Sequence, residues 1–199
     1  YTTSDNSLDL DGIVAKAGAF NKLVYGCHAS GERLPFNSGW FDCFVSSLCV
    51  QIVQNPDKMI KEACRVLKPD GRACFTVWGR PEKSVFFTID KIARKNLGLP
   101  EGPKTRTNFD FSAKIDAMKA VMHEVGFTEI KHWYQAANLN IRTGEDFVNF
   151  RPAFPTDRPL TDEETMLRNE MIKVFDELSG KGTHDLCTFE LMVIIAYKN

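Results

Sequence analysis

The apolar and polar positions fall into blocks of two different periods. Phe41, Cys43, Phe44 and Val45 lead a short apolar run that ends in Ser46 and Ser47, the pattern of a buried strand. Asn55 is suited to cap a helix, and Pro56 to its first turn, where no backbone donor is needed. Met59, Ile60, Ala63, Val66 and Leu67 then recur at helical spacing. Lys68-Pro69-Asp70-Gly71 is expected to stop that helix, because Pro cannot continue it and Gly accepts a positive φ. Ala73 to Trp78 is rich in Phe, Val and Thr and predicts a second strand. Strand, helix and strand with short connections predict a right-handed crossover unit of a parallel sheet.

The same reading extends outward from that unit. Tyr1-Thr2-Thr3 reads as the tail of a strand. Ser4, Asp5 or Ser7 is placed to cap a helix carrying Leu8, Leu10, Ile13, Val14 and Ala17. Lys22 to Cys27 reads as the next strand, and Glu32 beyond it as a solvated side chain. A helix is expected from about Ser84 to Leu97, with Phe86, Phe87, Ile89, Ile92, Ala93 and Leu97 on its apolar face. Leu99 to Asn108 is a loop, and Ser112 is expected to cap a helix bearing Ile115, Met118, Val121, Met122 and Val125. Phe127 to Tyr134 predicts a strand, and Thr143 a cap for a short helix through Phe150. Thr161 and Glu164, three residues apart, form a capping box ahead of Leu167, Met171, Val174, Phe175 and Leu178. Leu186 to Tyr197 is apolar enough for a strand covered on both faces.

Composition narrows the classes. A chain of 199 residues suffices for one domain with a sizeable core. Its net charge of −1 gives no electrostatic reason to bind nucleic acid or an anionic membrane. No apolar run approaches the roughly 20 residues of a membrane-spanning helix. Cys27, Cys43, Cys49, Cys64, Cys74 and Cys187 include no CxxC pair. Most sit in apolar patterns, which favours reduced thiols of an intracellular protein, with a cytoplasmic location expected and no metal site.

Leu34-Pro35-Phe36, then Phe41-Asp42 opening an apolar strand, then RVLKPDGR from Arg65 to Arg72, together resemble the class I S-adenosylmethionine-dependent methyltransferases. The likeness is to small-molecule enzymes of the ubiquinone-biosynthesis type, with Asp70 standing where that family usually has the first of two glycines. It implies an α/β fold: a Rossmann-like sheet with helices on both faces and an antiparallel last strand. All 199 residues would form a single domain, with helices and loops in 80–113 and 135–183 covering the acceptor side.

By position, the resemblance makes Asp5, Asn6, Ser30, Gly31, Ser46 and Ser47 cofactor-binding candidates for S-adenosylmethionine. A carboxylate such as that of Asp5 can accept two hydrogen bonds from a ribose diol. As a helix cap, Asp5 would be purely structural. Ser30 stands where the family usually carries an acid facing the adenine amino group. The stretch SSLCVQIVQ, from Ser46 to Gln54, lacks the histidine the family often has there, so no catalytic residue is assigned.

No GxGxG loop stands anywhere in the sequence, and the first, central strand of the family's sheet has no counterpart. A missing N-terminal segment or a partner chain is therefore expected to complete the sheet. The expected activity is methyl transfer to a small-molecule acceptor. The alternative is a methyltransferase-like subunit of a larger assembly that no longer catalyses.

Overall fold

The crossover unit forms as its pattern predicts. The computed structural model describes residues 2–3, 25–102, 109–139, 141–150, 154–180 and 188–199. Strand β3 (Phe41–Ser47) is followed by helix α1 (Pro56–Val66) and strand β4 (Leu67–Trp78), and β3 and β4 pair in parallel. Asn55 caps α1, its side-chain oxygen accepting from the Lys58 amide at 3.0 Å. Met59, Ile60, Ala63, Cys64 and Val66 are the buried face of the helix.

The turn after α1 works differently from expectation. Leu67 already pairs with Phe41, and Lys68 to Gly71 bulge out before pairing resumes at Cys43 and Arg72. The left-handed residue is Asp70, at φ +62°, a conformation that Asp tolerates better than most side chains. Gly71 is needed for space: a Cβ there would lie 2.8 Å from the Lys68 carbonyl oxygen.

Strands β1 (Thr2–Thr3) and β2 (Cys27–His28) pair in parallel as a separate two-stranded sheet. The described strand thus lies at the end of the run expected from Lys22, whose earlier residues fall outside the description. The larger sheet has the order β3-β4-β6-β5, with β5 at Phe127–Asn138 and β6 at Thr188–Lys198. Glu190, near the start of β6, meets Gly79 just beyond β4, while Lys198 at its end reaches Leu67 at the start of β4. The last strand therefore runs antiparallel to β4, as expected.

The described residues within 1–77, 114–132 and 193–199 form one compact unit, and those within 78–113 and 133–192 a second. In the first, α1 packs against α4 (Ile115–Glu124). Lys198 Nζ donates to the Cys64 and Leu67 carbonyls at 2.8 and 2.7 Å, placing a cation on the carbonyl end of α1. His123 lies 2.9 Å from the Phe127 carbonyl through Nδ1, a structural placement.

The second unit holds α2 (Ile89–Asn96), the short α3 (Asp110–Ala113), α5 (Gly144–Phe150) and α6 (Asp162–Gly180). The single helix expected from Ser84 is instead two short 3-10 turns, Pro81–Lys83 and Val85–Phe87, followed by α2. Its apolar face is still the core: Phe86, Ile89 and Ala93 pack with Phe147, Met171 and Phe175. Gly144 lets α5 close on α6, since a Cβ there would come within 2.7 Å of Ile172 Cα. Ser112 is not a cap. It is buried within α3, its hydroxyl donating to the Gly79 carbonyl at 2.5 Å, and the residue at the cap position of α4 is Lys114.

Both predicted caps of α5 and α6 form. Thr143 and Asp146 exchange side-chain-to-amide bonds at 3.1 and 3.2 Å. Thr161 and Glu164 do the same at 2.8 and 3.2 Å. The Arg158 guanidinium, bonded to both Glu164 oxygens, together with the Thr161 amide, holds the Glu164 carboxyl down at about 2. A depressed carboxylate contributes stability above its ordinary 4.5 and loses it as pH falls toward about 2. Carboxyl titration followed by NMR should show the Glu164 midpoint rise toward the ordinary range in Arg158→Gln. An unmoved midpoint would mean that Arg158 is not the cause.

Candidate functional site

The carboxyl end of β3 is built by a strained turn. Leu48, immediately beyond the strand, adopts φ +53°, which a branched side chain rarely does. Its amide donates both to the Thr76 carbonyl at 2.9 Å and to the Thr76 hydroxyl at 3.2 Å. The Thr76 hydroxyl in turn lies 3.0 Å from that of Ser47, its pairing partner across the sheet. In open parallel sheets ligands gather outside the carboxyl ends of strands, so this turn is where a site is expected.

The candidate residues take three kinds of position. Ser46 is 4% exposed, and its hydroxyl has no hydrogen-bond partner in the structure. A buried hydroxyl without a partner carries a desolvation cost, so this atom is suited to a ligand or a water. Ser47 is exposed beside Thr76. Ser30 is also exposed, and its hydroxyl accepts from the Glu32 amide at 3.2 Å in a tight local turn. Gly31 lies against Met59, whose side chain would be 3.3 Å from an added Cβ. Asp5 and Asn6 lie outside the described residues.

The turn after Gly31 is held by charge rather than by apolar packing alone. Glu32 is not free in solvent: its carboxylate accepts from the Asn55 amide at 2.9 Å, tying the turn to the start of α1. Arg65 donates to the Leu34 and Phe36 carbonyls at 3.1 and 2.8 Å, and to Glu62 through Nε and Nη2 at 2.6 and 2.8 Å. Glu62 in turn accepts from the Leu34 amide at 2.8 Å. The Arg65 hydrogen bond holds the Glu62 carboxyl below its ordinary value. Sequence reading treats Arg65 only as part of RVLKPDGR; its reach back to the LPF turn requires the fold.

Beyond β3, Val50 and Gln51 are buried and Cys49 is half-buried, with burial pushing its thiol pKa up. That makes Cys49 a packing residue rather than a nucleophile. On the opposite side of the balance, β3 itself is less covered than its apolar pattern predicts. Val45 is 67% exposed, and Cys43 is exposed with it.

Sequence reading also passes over Thr76 and Glu190. Thr76 looks like ordinary strand composition. Glu190 carries a signal in retrospect: one carboxylate inside an otherwise apolar strand must be paired. It is paired, by Arg80 through Nε and Nη2 at 2.7 and 2.6 Å, with the Arg80 amide adding a third bond at 3.0 Å. The Arg80 guanidinium also lies over the Tyr134 ring, 4.5 Å from its centre.

Residues 2–75 match a family model described as a methyltransferase domain. The ubiquinone/menaquinone biosynthesis C-methyltransferase of Haemophilus ducreyi is 42% identical over 122 residues, covering 56% of this chain and 47% of that protein. The Vibrio cholerae protein of the same name is 38% identical over 58 residues, covering 29% of this chain and 22% of that protein. The chain thus spans less than half the length of these relatives. Among solved structures, the YcgJ protein of Bacillus subtilis aligns with a TM-score of 0.56 at 14% identity, over 100% of this chain and 81% of that one. A putative sarcosine dimethylglycine methyltransferase from Galdieria sulphuraria gives 0.51 at 11% identity, over 100% and 68%. These structures share the fold. Residues 2–75 thus resemble a methyltransferase domain, and the described sheet, with its antiparallel last strand, has the Rossmann-like fold of these structures.

Proposed function

We propose that this protein transfers a methyl group from S-adenosylmethionine to a small-molecule acceptor. The observation that carries the reading is the family match over residues 2–75, which includes both the LPF turn and the end of β3. The residues present fit the cofactor: the Ser46 hydroxyl is buried and unpartnered, and the Ser30 and Ser47 hydroxyls are exposed. When bound, S-adenosylmethionine would supply an electrophilic sulfonium methyl. The Ser30 hydroxyl can accept a hydrogen bond from an amino group, without the charge assistance an acid would add. Asp5 and Asn6 would hold the ribose, and Gly31, Ser46 and Ser47 would line the remainder.

Residues 46–54 contain no histidine or carboxylate to take up a proton. Rate enhancement would then rest on holding acceptor and donor in line, which a methyl transfer can use to large effect. The elements of 80–113 and 135–183 would cover the acceptor side. The names of the relatives make an intermediate of ubiquinone or menaquinone biosynthesis the first acceptor to assay. The place of β3 at the edge of its described sheet supports a further strand, from another segment or a partner chain, completing the sheet. Among the described residues no helix is long and apolar enough to cross a membrane.

The test is calorimetric titration of the full-length natural protein with S-adenosylmethionine. Binding at micromolar levels is expected, weakened several-fold by Ser30→Ala. Absence of binding at millimolar cofactor would overturn the reading.

A further inference from the structure

We propose that Thr76 is a positioning residue that turns Ser47 into an outward hydrogen-bond donor at the carboxyl end of β3. This rests on the reading that a cofactor binds there. The starting point is Leu48. A leucine at φ +53° is disfavoured by the clash of its Cβ with the backbone, and such residues persist where their surroundings over-determine them. Here the determinant is one residue on the neighbouring strand. Thr76 offers the Leu48 amide two acceptors, its own carbonyl at 2.9 Å and its hydroxyl at 3.2 Å.

The second consequence is direction. A backbone N–H can only donate, so the Thr76 hydroxyl is an acceptor toward Leu48. Its own proton goes to Ser47, 3.0 Å away, where the geometry assigns the Thr76 hydroxyl as donor. Ser47 then receives a proton from behind, and its own O–H is free to donate outward. Each bond in such a chain polarises the next, which strengthens the terminal donor. Ser47 is exposed, and a lone pair on a ligand outside the strand end is the complement it would take. Neither residue reacts: Ser47 would bind, and Thr76 would hold Ser47 and Leu48 in place.

Two variants of the full-length protein test this. Thr76→Val removes the hydroxyl at constant shape, and Thr76→Ser keeps it. The readouts are S-adenosylhomocysteine affinity by calorimetry and the exchange rate of the Leu48 amide by NMR. Thr76→Val is expected to weaken S-adenosylhomocysteine binding about tenfold and to speed Leu48 exchange. Thr76→Ser should restore both to within about twofold. Ser47→Ala, on an exposed side chain, should weaken binding as Thr76→Val does, and adding it to Thr76→Val should cost nothing more. Wild-type affinity in Thr76→Val, failure of Thr76→Ser to rescue, or strict additivity with Ser47→Ala would overturn the proposal. If the wild-type protein binds no S-adenosylhomocysteine, the cofactor reading falls and the donor role of Ser47 falls with it. Unchanged Leu48 exchange in Thr76→Val would then remove the positioning role separately.

Discussion

Glu190→Ala is expected to lower the free energy of unfolding by about 2–3 kcal/mol, because it removes charge-assisted hydrogen bonds from a half-exposed guanidinium to a carboxylate set inside a strand. Glu190 is 8% exposed and accepts three hydrogen bonds from Arg80. Its backbone is bound into the same cluster: its carbonyl accepts from the Gly79 amide at 2.7 Å, and its amide donates to the Ser84 hydroxyl at 3.3 Å. The alanine variant would leave the half-exposed Arg80 guanidinium, beside Tyr134, without its carboxylate. With domains stable by about 5–15 kcal/mol, the loss is a large fraction of the total. Urea unfolding at neutral pH measures it directly.

The pH dependence has a definite sign. The Arg80 hydrogen bonds, acting against burial, hold the Glu190 carboxyl below its ordinary 4.5. Its contribution is therefore complete above about 4.5 and disappears as pH falls through the lower folded value. The stability gap between wild type and Glu190→Gln should narrow on acidification over that window. A gap below about 1 kcal/mol at pH 7, or one that widens in acid, would show that the pair is a surface contact of little consequence.

Arg65→Ala is expected to cost about 2–4 kcal/mol, because it removes several charge-assisted bonds at once and strands Glu62. Arg65 is the clamp between α1 and the LPF turn, with the Leu34 and Phe36 carbonyls in its fork. A lysine has one ammonium group and cannot reach both carbonyls while bonding Glu62 through two oxygens, so Arg65→Lys should recover less than half of the loss. The turn also follows Ser30 and Gly31, so S-adenosylmethionine affinity should fall together with stability. Denaturant unfolding of both variants decides the matter. If lysine restores full stability, the fork geometry is irrelevant and a single charge suffices.

The elements were legible in the chain because they rest on local chemistry. Asn55, Thr143 and Thr161 cap helices in the structure as their spacing to following residues predicts. The apolar rows of 59–66 and 167–175 become buried helix faces for the same reason. The role of Ser112 is not legible in the chain, because a serine before an apolar row looks the same whether it caps a helix or donates to a carbonyl 33 residues away. Lys68 to Gly71 were recognisable as a turn, but which residue takes positive φ depends on how β4 meets β3, and that residue is Asp70.

The candidate site divides the same way. Its location followed from a sequence pattern alone, since a parallel crossover unit places ligand-facing residues after its strands. Its construction did not. Thr76 gains meaning only when β4 sets it opposite Ser47. Arg65 matters only where α1 delivers its guanidinium to carbonyls some thirty residues earlier, and Glu190 only beside Arg80, 110 residues before it. Periodicity, caps and turns are encoded within a few neighbouring residues, so most of the elements, the fold class and the likeness to methyltransferases are legible in the chain alone. Long-range pairing of charges and hydroxyls depends on strand register and helix placement, and the tertiary structure alone decided it.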